Sequence, residues 1–233
     1  MRQPDLFLAL LWYGAFVVST ATHEAAHALA ALVGGDRTAY RAGQVTLNPV
    51  PHMRREPFGM IFMPLFGVLT SGWCVGWAST PFDPRWAARF PRRAAWMAAA
   101  GPAANVAIAL AALALLRAGL SLEIFAAPGR VSFSRLVASQ LPVTDAVGSF
   151  LSILLVLNAI LALFNLIPFP PLDGASAITL FLPDSLAQRW RAAAFGGRFG
   201  LLGLFAAWWL FGRIVPRVFE LLLALVHPGG RYG

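Results

Sequence analysis

Apolar positions in this chain gather into long runs. They show neither the two-residue alternation of a half-buried strand nor the narrow stripe of a soluble amphipathic helix. The first run covers residues 6–33 and stops at Gly34-Gly35. Two more, 96–117 and 147–167, again reach the roughly 20 residues a helix needs to cross a hydrocarbon core. The stretch 58–78 is as apolar but carries Gly59, Pro64, Gly67, Gly72 and Gly76, which predicts a re-entrant or broken hairpin. The last run, 199–227, contains Arg213, Pro216, Arg217 and Glu220, and predicts one span followed by a surface-lying tail. Between the runs, the polar stretch "DRTAYRAGQVTLNPVPHMRREP" holds Val45-Thr46-Leu47 among glycine and prolines, the pattern of a short membrane-associated strand or hairpin. Residues 118–146 predict a loop with room for a short helix. The expected fold is an all-α polytopic membrane protein of about four to six membrane segments. It is read as a single integral-membrane domain over residues 1–233, with no soluble module and no repeat.

Composition agrees. The 233 residues are 58% hydrophobic and only 12% charged, about half the charged share usual in soluble domains. The first apolar run is too long for a cleaved signal and holds polar chemistry, so it reads as retained. All 18 basic residues are arginine, and the net charge of +8 suits loops lying on anionic headgroups. These arginines are scattered through short loops, which argues against nucleic acid as a partner. A lone Cys74 excludes an intrachain disulfide and a cysteine-based zinc site.

Within the first run lies "HEAAH", His23 to His27. On a helix, positions i and i+4 sit about 40° apart on one face, so His23 and His27 can offer nitrogens to one ion. Glu24 is then placed as a general base toward a metal-associated water, the zincin arrangement of two ligands and a base. Ionisable groups inside a membrane segment are rare and usually functional; the plain alternative is a hydrogen-bonded trio that ties helices together. Two histidines leave a catalytic zinc one protein ligand short. Asp173, in "FNLIPFPPLDGA", follows a long apolar helix stopped by Pro168, Pro170 and Pro171, with Gly174 permitting a tight turn. Asp173 is either the third ligand or the N-cap of the next segment.

Together, "HEAAH" and "NLIPFPPLDG" resemble the site-2 protease family of intramembrane zinc metalloproteases. Asn165, Pro168, Pro170, Leu172, Asp173 and Gly174 match its N-x-x-P-x-P-x-L-D-G motif. The stretches "VTLNPVPHM", "GPAAN" and "GWASTPFDPR" are similar to compact bacterial members that have no PDZ or CBS domain. The last departs from the family's P-V-x-x-N-P with "STPFDP". The resemblance implies that His23, His27 and Asp173 hold one Zn2+ and that Glu24 activates water. It also favours Asn105 and Asn165 near the site, as substrate-binding or oxyanion groups. Asn105 is read as one turn into a helix opened by Gly101-Pro102, and Asn158 as structural, an amide clamp of about 1 kcal/mol or less. His52 resembles a recurrent position near the site and is not counted as a ligand.

The two motifs must meet at one depth, so the first helix and 147–167 run in the same direction and 96–117 runs against them. Arg37, Arg41, Arg54, Arg55, Arg85, Arg89, Arg92 and Arg93 all fall in 34–95, which the positive-inside rule places in the cytoplasm. The expected activity is hydrolysis of a peptide bond in or near a transmembrane segment of a membrane-protein substrate. The expected location is a bacterial inner membrane, with the site toward the cytoplasmic side. Substrate backbone could pair with the strand around Val45–Leu47. The rival reading is a non-catalytic zinc-containing binding or chaperone-like membrane protein, which would have no use for Glu24 as a base.

Overall fold

A computed structural model describes residues 5–195 and 200–229. Three described helices are long and apolar enough to cross a bilayer: α1 (Leu6–Val33), α6 (Pro91–Ser121) and α7 (Pro142–Leu166). Between α1 and α6 come three short helices, α2 (Thr38–Arg41), α3 (Pro49–Arg55) and α5 (Pro84–Arg89), and the apolar α4 (Met63–Ser71), which continues a π-helical turn at Phe58–Phe62. After α7 the chain forms the short α8 (Gly174–Ala177), a 3-10 turn (Ile178–Phe181), α9 (Asp184–Phe195) and α10 (Gly200–Val226). The protein is an integral membrane protein built from helices.

Local chemistry sets the long helices. The Asp5 carboxylate accepts the Leu8 N–H at 3.1 Å and caps α1, while Pro91 and Pro142 occupy the first turns of α6 and α7, where a missing N–H costs nothing. α7 ends where Ile167 turns extended ahead of Pro168. α1 meets α6 through His23–Asn105 and His27–Met97, so ascending numbers on one match descending numbers on the other: the pair is antiparallel. Gly14 lies against Phe150 and Ser19 against Asn158, so α1 and α7 are parallel. The relative directions expected from the two motifs are those observed.

The stretch 58–78 is a turn-back, as its glycines suggest. α4 ends at Gly72 in the left-handed region (φ +79°), and the chain returns so that the Trp77 N–H donates to the Gly59 carbonyl at 3.1 Å. A Cβ at Gly59 would lie 2.2 Å from the Trp77 carbonyl oxygen, and one at Gly76 would lie 2.3 Å from the Gly59 carbonyl oxygen. Side chains there would force the two passes apart.

Three expectations need correction. Val45–Leu47 is a bend and not a strand. Pro49 at the first turn, with the Asn48 side chain accepting the Val50 N–H, starts α3 at once, and among the described residues no strand lies beside it to pair with. The only bridges among the described residues are Ala126–Ala138 and Ser132–Arg135, in a loop without a helix. Second, Gly101-Pro102 does not open a helix; both lie inside α6, three turns from its start. Third, 200–226 is one continuous helix through Arg213, Pro216 and Arg217. Its end is held by Leu222, Leu223 and Val226 in the apolar cluster shared with α6 and α7, and Arg117 reaches the Leu225 and Val226 carbonyls.

Asp36, buried just past α1, ties the loops together. Its Oδ1 accepts the N–H and hydroxyl of Thr38, and its Oδ2 accepts the Asp83 N–H at 2.7 Å. Burial pushes this carboxyl up, but the hydrogen bonds from Thr38 and Asp83, aided by Arg41, outweigh it and hold it below the usual carboxylate range. Asp36→Ala leaves those donors unpaired and should destabilise the protein by about 1–3 kcal/mol. Thermal unfolding in detergent measures this; an unchanged midpoint would show the tie to be idle.

Candidate metal centre

The buried face of α1 repeats at helical spacing and includes Ser19, Thr20, His23, Glu24, His27 and Ala31. His23, Glu24 and His27 are no more than 7% exposed. His23 and His27 meet edge to face, with their Nε2 atoms 2.9 Å apart. Asp173 Oδ2 lies 3.1 Å from His23 Nε2 and 3.2 Å from His27 Nε2. The Asp173 side chain makes no capping bond to α8, which leaves the N-cap alternative without support.

Asp173 is delivered by a tight return of the chain. A Cβ on Gly174 would sit 2.4 Å from the Leu166 carbonyl oxygen and 2.5 Å from that of Ile167, so only glycine lets the backbone fold onto the end of α7. From the other side α6 presents Gly101. A Cβ there would lie 2.3 Å from His27 Nε2 and 2.5 Å from His23 Nε2. The space beside the three ligand atoms exists because that position carries no side chain.

Hydrogen bonds fix which nitrogens carry protons. His27 Nδ1 donates to the Met97 carbonyl at 2.7 Å, an atom that can only accept. For His23 the direction comes from farther away. The Asn158 amide donates to the Leu154 carbonyl and to Ser19 Oγ, both at 2.8 Å, and the Ser19 hydroxyl donates to the Ala15 carbonyl. The Asn158 oxygen therefore accepts, and takes the Asn105 amide at 2.8 Å. Asn105 then has its oxygen toward His23, so His23 Nδ1 donates. Both Nε2 atoms are left as bare lone pairs facing a carboxylate oxygen.

Three acceptors at 2.9–3.2 Å repel one another unless a cation lies among them. A proton bridges only two of them at once; a single metal ion satisfies all three. For tetrahedral ligands at about 2.0–2.1 Å from zinc, the separation between ligand atoms is about 3.3 Å, close to the spacing here. The donor set of two imidazoles and a carboxylate fits zinc, with the outer Nδ1–H groups anchored as metal-binding histidines usually are.

Glu24 faces a different partner. The Thr80 hydroxyl, on the segment returning from Gly72, lies 2.7 Å from Glu24 Oε2 and 2.9 Å from the Glu24 carbonyl oxygen. Oε1 makes no hydrogen bond among the described residues. Asn105 is fully buried and belongs to the site through His23. Asn165 is not brought to the cluster by any hydrogen bond; its amide donates to the Leu161 carbonyl of its own helix at 3.0 Å. His52 is buried in α3, its Nε2 donating to the Thr46 carbonyl, with no hydrogen bond to the cluster.

Sequence reasoning passed over Ser19, Thr80 and the space at Gly101, and read Asn158 as structural. Ser19 was recoverable, standing one turn before His23 on the same face. Thr80 was not, since its contact joins a loop to a helix 56 residues away.

Comparison with known proteins gives the family. The family model for peptidase family M50 matches residues 12–205. A Bacillus subtilis (strain 168) protein named "Putative zinc metalloprotease YwhC" is 32% identical over 223 residues, covering 91% of this chain and 90% of its own. No solved structure matches. On the matched length and that identity, the chain belongs to peptidase family M50, the site-2 protease family.

Proposed function

We propose that this protein is an intramembrane zinc endopeptidase that cleaves a membrane-protein substrate in or near its transmembrane segment. The observation that carries the reading is the convergence of two bare imidazole nitrogens and one carboxylate oxygen beside a buried glutamate, at the depth of long apolar helices. His23, His27 and Asp173 would hold one zinc ion. Zinc supplies Lewis-acid polarisation of the scissile carbonyl and an acidified water.

The protein's own residues do the rest. Glu24 takes the water proton at Oε1 and returns it to the leaving amine, while the Thr80 hydroxyl holds Oε2 and keeps the carboxylate from rotating away. Asn105, Asn158 and Ser19 orient the His23 ring and keep its proton on Nδ1. The low exposure of the centre limits bulk water and strengthens each of these interactions. A substrate helix must unwind locally, because its own hydrogen bonds and side chains shield its amides. Asn165, half-buried near the end of α7, is the remaining candidate for contact with that unwound backbone.

The eight arginines between 34 and 95 support a cytoplasmic placement for that region in a bacterial inner membrane, with the centre toward the same side. A cysteine at position 40 should then react with an impermeant thiol reagent only after the cells are opened. Labelling of intact cells would reverse the topology.

Metal content of the detergent-purified protein tests the ligand set. About one zinc per chain is expected, with loss in His23→Ala and in Asp173→Ala while the fold is retained. Zinc unaffected by Asp173→Ala would remove that residue from the set. Glu24→Gln should keep its zinc and lower cleavage of a membrane substrate by about 10²–10⁴-fold, as for loss of a general base. Gly101→Ala should lose zinc in an otherwise folded helix, since its methyl group would meet both Nε2 atoms. Asn105→Leu, measured by competition with a chelator, should weaken zinc affinity about 10–100-fold. Unaltered affinity would show that the chain of amides does not govern His23.

A further inference from the structure

α2, α5 and the loop residues just before them line an open cavity of about 390 Å3, within the range of small-molecule sites. It is separate from the metal centre. Arg37, Arg41, Arg85 and Arg89 line it, together with Asp36 and Asp83. The two acids do not neutralise the four arginines by direct contact. Asp36 is saturated by Thr38 and the Asp83 N–H, and Asp83 Oδ1 accepts the Arg85 backbone N–H at 2.8 Å. None of the four guanidinium groups donates a hydrogen bond or forms an ion pair among the described residues. Arg89 only faces the Phe90 ring at 5.4 Å. Four like charges around one cavity repel one another and lack the acceptors that guanidinium forks match best, which are carboxylate and phosphate oxygens.

Position decides between the sources of such oxygens. α1 ends at Val33 and α6 begins at Pro91, so the cavity lies where membrane-crossing helices reach the headgroup layer. Its lining is apolar as well as basic, since Trp86 and Phe90 stand among the arginines, and Tyr40 and Phe82, each next in sequence to a lining residue, are exposed. A dissolved phosphate would use the arginines and have no use for these side chains. A lipid uses both, with acyl chains along the apolar rim and the phosphate within the arginines. We propose that this cavity is a binding site for the phosphate headgroup of an anionic phospholipid.

Native mass spectrometry of the detergent-purified full chain tests the site, with dioleoylphosphatidylglycerol and dioleoylphosphatidylcholine offered at equal concentration. The anionic phosphatidylglycerol should be retained at least tenfold better than the zwitterionic phosphatidylcholine. The double variant R37Q/R85Q should abolish the preference, R37K/R85K should keep part of it, and R130Q/R217Q, distant in sequence, should leave it intact. Thermal unfolding of each variant checks that the fold persists. Equal retention of the two lipids overturns the proposal, as does a preference that survives R37Q/R85Q. If inorganic phosphate at matched concentration displaces the lipid completely, or raises the unfolding midpoint as much as the lipid does, the site serves free phosphate and the lipid assignment fails. Should R37Q/R85Q not fold, the single variant R89Q must still lower retention, and no change in it overturns the proposal.

Discussion

Two main-chain carbonyls, at Ala15 and Leu154, decide the state of an imidazole a full turn or more away. Because they can only accept, every hydroxyl and amide between them and His23 has one allowed orientation. In water such a chain would exchange partners freely. In a fully buried setting each reversal strands a donor against a donor, at a cost of about 1–3 kcal/mol. The arrangement therefore does two tasks with one set of bonds. It joins α1, α6 and α7 through polar contacts where apolar side chains gain little from leaving lipid, and it leaves the ligand nitrogen bare.

The packing around this chain follows from the same demand. Gly101 gives the room that the ligand atoms occupy, Gly174 lets Asp173 reach them, and Gly59 and Gly76 let the turn-back lie flat enough for Thr80 to meet Glu24. In each case a missing methyl group is what allows a polar contact. The larger apolar clusters lie elsewhere, around Leu116, Leu155 and Val156 and around Trp12, Phe16 and Ile153. They hold the helices in place; the glycines decide what the helices can do where they meet.

How much of this was legible in the sequence varies with the range of the interaction. The long helices were visible because lipid demands uninterrupted apolar length, and the His23–His27 pair because its i, i+4 spacing puts two imidazoles on one face; Asp173 stood even between ligand and N-cap on its own chemistry, and only the family motif singled it out. Helix boundaries were less so. Pro102 reads as a start only if a proline is assumed to begin helices, whereas α6 carries it internally and starts at Pro91. Val45–Leu47 has strand-forming residues, but a strand exists only with a partner, and three residues cannot announce one. Asn158 looked like a helix clamp and is one; its added part in orienting His23 depends on Ser19 and Asn105, contacts spanning 139 and 53 residues.

The ligand set is split along the chain: His23 and His27 lie in the first long helix, and Asp173 lies 150 residues after His23, beyond the third. Gly101, which leaves space beside the three groups, sits on the helix between. During synthesis the histidines emerge early, and nothing on the chain can complete their set until α7 has been made and the Gly174 turn has closed. A partly made or partly inserted chain thus carries an unfinished set of donor groups. The newly made chain is therefore incomplete as a metal site until its last group arrives, by the order of its own translation.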